Sequence, residues 1–141
     1  MTAKPYFLHI VLFVNVSAVA CGMTKKANPA SAFTGTWSGD MELSNAPGET
    51  QFIVITIPDD CTPGAVCSQM ANDTVSCTWE LTLEEVKDNV FRSNFSRVIS
   101  GGEICSTGLG SSGTMTRQAD GMLFREHKGP GFVATGTLRK K

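Results

Sequence analysis

Apolar and polar residues alternate without interruption from residue 33 to residue 44. The apolar series is Phe33, Gly35, Trp37, Gly39, Met41 and Leu43, and the residues between them are polar. Successive side chains of a β-strand point to opposite faces, so this period of two predicts a strand with one buried face and one solvated face. The stretch therefore predicts the first strand of a sheet whose apolar face must be covered by other strands.

Further segments downstream have the alternation or the composition of strands. The turns between them are rich in Gly, Pro, Asn and Asp, which is typical of antiparallel β-proteins. The predicted turn after the first strand is 45–49, and the predicted strands that follow are 50–57, 65–70, 75–86, 90–99, 113–118, 122–127 and 132–139. No segment shows a convincing helical period, and the Gly- and Ser-rich stretch 100–111 is predicted to be a loop. The pattern predicts an all-β domain of about eight strands.

The last predicted strand repeats the pattern of the first. Residues 135–138 (Thr-Gly-Thr-Leu) parallel residues 34–37 (Thr-Gly-Thr-Trp). Pairing of the first and last strands would close the sheet and remove both of its edges. Inward glycines at Gly35, Gly39 and Gly136 would let the strands bend sharply where the barrel closes. We therefore predict a small antiparallel up-and-down β-barrel, with a β-sandwich as the alternative.

The start of the predicted barrel resembles the calycins, the group that includes lipocalins and avidins. The resemblance rests on Phe33-Thr-Gly-Thr-Trp37 at the opening of an eight-stranded meander, and it would span residues 33–139. It implies a barrel that binds a small apolar ligand. The domain is smaller than most lipocalins, and no long helix is predicted after the barrel.

The N-terminal residues have the three-part layout of a secretory signal peptide. Lys4 gives a positive start, residues 6–16 are mostly apolar, and residues 17–20 are small. The apolar run is shorter than the roughly 20 residues that a transmembrane helix needs. We therefore predict that the protein is exported and that residues 1–20 are removed.

The end of this segment, Ala18-Val19-Ala20-Cys21, resembles the lipobox of bacterial lipoproteins. The resemblance implies that Cys21 carries a lipid, becomes the first mature residue and anchors the protein to a membrane of the cell envelope. The sequence departs from the family pattern at Ala18, where leucine is usual. Ordinary signal-peptide cleavage and secretion are the alternative. Residues 21–32 are small and polar, which predicts a flexible tether before a barrel domain of residues 33–141.

The cysteines support this interpretation. The chain has five of them, and lipidation of Cys21 would leave an even set of four for two disulfide bonds in an oxidising compartment. Cys61 and Cys67 flank a turn that brings them together. Cys77 and Cys105 lie at the same end of a predicted hairpin. Of the three pairings that four cysteines allow, we predict Cys61–Cys67 and Cys77–Cys105.

Several large aromatic or charged residues fall on predicted inner faces of the barrel. They form the candidate ligand-binding set: Trp37, Trp79, Phe91, Arg97, Phe124 and Glu126. The aromatic members also fit a filled core, and the charged members also fit strand ends that reach water. A charged member inside the barrel would form a buried ion pair or orient a ligand.

The composition narrows the function classes further. The net charge is −1, so nothing indicates a nucleic acid as partner. No motif predicts a catalytic, cofactor or metal site, because His127 is the only histidine after the signal sequence and no Cys-x-x-Cys pair occurs. The predicted function is non-enzymatic binding of a small apolar ligand at the cell envelope. The alternative is a protein-interaction module, such as an inhibitor or an envelope assembly factor, without a cavity.

Overall fold

A computed structural model describes residues 26–141 of the chain. These residues form eight antiparallel strands in up-and-down order, closed into a barrel. The strands are β1 Gly35–Leu43, β2 Ala46–Ile57, β3 Val66–Asn72, β4 Cys77–Lys87, β5 Val90–Ser100, β6 Ser112–Gln118, β7 Gly121–Lys128 and β8 Phe132–Lys140. Two short 3-10 helices, Pro29–Phe33 and Glu103–Gly108, precede β1 and β6. The predicted signal sequence, the predicted lipidation site Cys21 and residues 22–25 lie outside the described residues.

The pairing of β1 with β8 closes the barrel, as the similarity of the first and last strands predicted. Met41 pairs with Gly136 and Glu42 with Thr135. The two strands approach so closely here that a Cβ atom at Gly136 would overlap the backbone oxygen of Asp40. The predicted barrel is confirmed, and the alternative β-sandwich is excluded.

Inward side chains from all eight strands fill most of the barrel. We call the end at which β1 begins the base, and the opposite end, with the β1–β2, β3–β4 and β7–β8 turns, the mouth. The largest fully buried side chains are Phe33, Met41, Ile53, Ile55, Ile57, Met70, Leu81, Leu83, Phe91, Met115, Met122 and Phe124. Burial of this apolar set is the main stabilising contribution to the fold.

The helix Pro29–Phe33, which we call the plug helix, closes the base. The Asn28 side chain caps it by accepting a hydrogen bond from the Ala30 amide (3.1 Å), and it donates one to the Cys61 carbonyl oxygen (2.9 Å). Ala30 and Phe33 are both buried, and the Phe33 ring lies 5.5 Å from that of Phe91. These contacts make the plug helix part of the barrel domain.

The structure differs from the predicted boundaries by more than two residues in three places. Residues 28–32, predicted as part of the tether, pack against the base. Residues 46–49, predicted as a turn, belong to β2, and the hairpin turns at Ser44 and Asn45. Residues 103–108, predicted as a loop, form the second 3-10 helix. Segments of five or six residues are too short to show a helical period, so alternation could not reveal either helix.

Both predicted disulfide bonds are present. Cys61 and Cys67 join the ends of the β2–β3 loop at the base, with Cα atoms 5.3 Å apart. Cys77 and Cys105 join the start of β4 to the second 3-10 helix at the mouth, with Cα atoms 5.5 Å apart. Two disulfide bonds are typical of proteins that fold in an oxidising, extracytoplasmic environment. Between residues 26 and 141, no helix combines the length and the apolarity needed to span a bilayer.

Candidate functional site

A pocket of about 350 Å³ lies at the mouth of the barrel. Its walls are the ends of strands and the helix Glu103–Gly108, which we call the mouth helix. The apolar part of the lining comes from Leu43, Val75, Trp79, Ile104 and Phe132. Polar side chains from β2, β3 and β7 interrupt this lining. A mostly apolar concave site with a few polar groups is typical of small-molecule binding sites.

The mouth helix is fixed to the barrel by three contacts. Cys105 is bonded to Cys77, the first residue of β4. The indole Nε1 of Trp79 donates a hydrogen bond to the Cys105 carbonyl oxygen at 2.8 Å. Gly108 lies directly against the Trp79 ring, where a Cβ atom would come within 2.9 Å of the indole. Trp79 therefore supports the helix and also forms one wall of the pocket.

Asn72 forms the polar wall on the side of β3. It is buried, and its amide nitrogen donates a hydrogen bond to Gln51 Oε1 at 2.6 Å. Its side-chain oxygen accepts hydrogen bonds from the amides of Thr74 (3.1 Å) and Val75 (3.4 Å). Because its side chain is paired within the protein, Asn72 shapes the β3–β4 turn.

Glu126 lies at the end of the inward series of β7, after the buried residues Met122 and Phe124. Its side chain is half-buried and lines the mouth pocket. The residues that pair with it in register are Gly113 on β6 and Ala134 on β8. Both are small, and the Phe124 ring occupies the space over Gly113, where a Cβ atom would come within 3.0 Å of it.

The environment of Glu126 disfavours its charged form. Burial raises the pKa of its carboxyl group above the ordinary value of 4.5, and the nearby Ser111 hydroxyl and Lys128 ammonium offset this only in part. Glu126 forms no ion pair with any lysine, arginine or histidine of residues 26–141. Glu126 is therefore a pocket-lining carboxyl group that no cation among these residues neutralises by direct contact.

The structure brings two of the six candidate binding residues, Trp79 and Glu126, together in the pocket. Trp37 is at the base, where its Nε1 donates a hydrogen bond to the Phe33 carbonyl oxygen at 2.8 Å. Phe91 lies beneath the plug helix, and Phe124 is in the core of the barrel. These three aromatic residues fill the interior and do not line the mouth pocket.

Arg97 was predicted to share the inner face of β5 with Phe95, and this placement is wrong. Leu81 pairs with Phe95 while Glu80 pairs with Arg97, so Ser96 is an extra residue in β5. Such a β-bulge shifts the alternation by one position. The Arg97 side chain is therefore outside, 70% exposed, and it donates hydrogen bonds to both carboxylate oxygens of Glu80 at 2.7 and 2.8 Å. The hydrogen bond from Arg97 lowers the pKa of Glu80.

Other pocket residues were not in the candidate set. Leu43 was predicted to lie on the apolar face of the first strand and Phe132 to begin the last strand, but the pattern did not show that they reach the mouth. Ile104, Thr107 and Gly108 come from the stretch predicted as a loop. The predicted disulfide bond from Cys105 to the start of β4 could have placed these three residues at the mouth, because they are close to Cys105 in the chain.

In the part of the chain that the structure describes, no three His, Cys, Asp or Glu side chains are grouped to hold a metal ion. Comparisons of the chain with protein-family models, curated proteins and solved structures found no significant match.

Proposed function

We propose that this protein is an exported lipoprotein of the cell envelope whose barrel binds a small apolar ligand at its mouth. The observation that carries this proposal is the pocket of about 350 Å³ above a filled interior. Its volume lies within the range of about 300–1,000 Å³ that is common for small-molecule sites. The proposed role is binding, with no catalytic step and no cofactor.

Rigidity of the mouth supports this role. The disulfide bond to Cys105 and the hydrogen bond from Trp79 hold the mouth helix in place. A pocket whose walls are already fixed loses little conformational entropy when a ligand enters, so more of the contact energy contributes to affinity. The calycin-like opening of β1 supports the same class of ligand by analogy of fold.

The path of the chain supports an orientation for the proposed anchor. The plug helix enters at the base, whereas the pocket opens at the mouth. Between a lipid on Cys21 and Asn28, which is hydrogen-bonded to the base, there are residues 22–27, which span at most about 20 Å. A lipidated chain would hold the base near the bilayer and direct the mouth away from it.

The lipid anchor is tested by intact-mass spectrometry of the protein produced in its own cells. We expect a chain that begins at Cys21, carries the added mass of a diacylglycerol and two disulfide bonds, and partitions into detergent. A Cys21→Ser variant should lack the lipid and be released from the membrane fraction. An unmodified chain in the soluble fraction would overturn the anchor and leave the pocket proposal standing.

The pocket is tested by calorimetric titration of the purified protein with octan-1-ol, a neutral apolar probe. Val75→Trp, which fills the pocket from the β3–β4 turn, is expected to lower the affinity by at least about tenfold. Val66→Trp is the matched control, because Val66 is 54% exposed at the base and should leave binding unchanged. Absence of binding to the unsubstituted protein, or equal effects of the two substitutions, would contradict the proposal.

A second candidate function is a protein-interaction module. The observation that favours it is a set of exposed apolar side chains around the mouth: Ile99 (44%), Ile104 (62%) and Leu109 (38%). Exposed apolar surface of this kind marks interaction sites when it is contiguous. Retained binding of octan-1-ol by an Ile99→Ser, Leu109→Ser variant, whose substituted residues do not line the pocket, would favour the pocket over this surface as the functional feature.

A further inference from the structure

We propose that the ligand of the mouth pocket is an apolar primary amine, bound with its ammonium group at Glu126. This inference deepens the proposed function and rests on it. It is carried by the position of Glu126, an inward carboxylate that lines a mostly apolar pocket and forms no ion pair with any lysine, arginine or histidine of residues 26–141.

The position of Glu126 makes its charge available to a ligand. Its side chain lines the pocket, and the residues that pair with it, Gly113 and Ala134, are uncharged. By contrast, Glu80 and Glu85 on the outer surface are paired with arginines. An inward carboxylate without a cation is costly unless a ligand supplies one.

The chemistry of Glu126 matches an ammonium head. An ionised carboxylate can only accept hydrogen bonds. A primary ammonium has three N–H donors, so it can donate to the carboxylate oxygens and neutralise the charge of Glu126. The neighbouring Trp79 and Phe132 side chains provide an apolar wall for the hydrocarbon part of the ligand.

The charged surroundings of Glu126 favour a cation over an anion only if Lys128 does not already neutralise it. Lys128 is the other charged side chain that lines the pocket, and the lining residues from β1, β2, β3, β4, β8 and the mouth helix are uncharged. Lys128 forms no ion pair with Glu126. The carboxylate therefore keeps its capacity for an ammonium group, while Lys128 is the last residue of β7, next to the β7–β8 turn at the mouth.

The test is a calorimetric comparison of three probes of equal chain length, octylamine, octan-1-ol and octanoate, at pH 7. We expect octylamine to bind at least about tenfold more tightly than octan-1-ol, and octanoate to bind most weakly. Glu126→Gln should remove the preference for the amine and leave the affinity for octan-1-ol unchanged. Lys128→Gln, the matched control two residues along β7, should keep or increase the preference.

The pH dependence provides a second readout. Amine affinity should fall as the pH is lowered, and because burial raises the pKa of Glu126, the fall should begin above pH 4.5. In the absence of ligand, thermal melting should show Glu126→Gln to be folded and at least as stable as the unsubstituted protein at pH 7. A carboxyl group whose pKa is raised on folding destabilises the protein above that pKa, so this gain should vanish below both pKa values.

The outcomes separate this inference from the proposed function. Equal binding of octylamine and octan-1-ol, or an amine preference that survives Glu126→Gln, would overturn the amine assignment while the pocket stands. Tightest binding of octanoate, abolished by Lys128→Gln, would also overturn it and assign an anion. Failure of all three probes to bind would overturn the proposed function itself.

Discussion

Replacing both Cys77 and Cys105 by alanine is expected to lower the free energy of unfolding by about 3–4 kcal/mol. The bond links residues separated by 28 positions, so its loss enlarges the conformational entropy of the unfolded chain. Both cysteines are buried, and the substitution also releases the mouth helix from β4. Urea denaturation under non-reducing conditions measures the loss, and calorimetry with octan-1-ol should show weaker binding.

The matched control is the double substitution of Cys61 and Cys67 by alanine. These residues are separated by only 6 positions, and loop-closure entropy then predicts a smaller loss of about 2–2.5 kcal/mol. The β2–β3 loop lies at the base, so octan-1-ol binding should be unaffected in this variant. A larger loss of unfolding free energy in the Cys61/Cys67 variant than in the Cys77/Cys105 variant would contradict the role assigned to Cys77–Cys105. Equal effects of the two variants on octan-1-ol binding would also contradict it.

Replacing Gly136 by valine is expected to destabilise the barrel by about 3 kcal/mol or more. A Cβ atom at this position would overlap the backbone oxygen of Asp40 on β1, and a backbone atom cannot move aside as a flexible side chain can. The substitution must therefore separate β1 from β8, where the barrel closes. The free energy of unfolding by urea measures the effect, and loss of amide protection along both strands would locate it.

Gly102→Val is the control for this substitution. Gly102 has an ordinary backbone conformation (φ −82°), and a Cβ atom there would meet no atom within 4 Å. Its effect should stay within about 0.5 kcal/mol, as for other surface substitutions. If the two glycines tolerated valine equally well, the close approach of β1 and β8 could not be what closes the barrel.

The alternation of apolar and polar residues predicted the strands well because each strand has one face in a single core. It assigned Glu126 and Trp79 to inner faces, and both line the pocket. The similar patterns of β1 and β8 predicted the closure, since a barrel requires its first and last strands to pair. The disulfide pairs followed from the up-and-down order, which determines which strand ends lie together.

Other features of the site could not be obtained from a period of two. The period assigns a residue to a face but not to a height in the barrel, so Trp37 and Phe91 at the base were grouped with Trp79 at the mouth. A single extra residue, Ser96, shifts the alternation for the residues directly after it, and Arg97 is therefore outside. The plug and mouth helices are held by capping, a disulfide bond and ring contacts, which leave no periodic signal.

A two-dimensional NMR titration of the purified, isotopically labelled protein with octan-1-ol would show where a ligand binds. We expect the backbone amide shifts to change at the mouth, at Leu43, Val75, Thr107, Gly108 and Phe132. The amides of the plug helix and of Val66, at the base, should remain unchanged. Shifts confined to the base or to the outer surface, or no shifts up to saturation with the alcohol, would contradict a binding site at the mouth of the barrel.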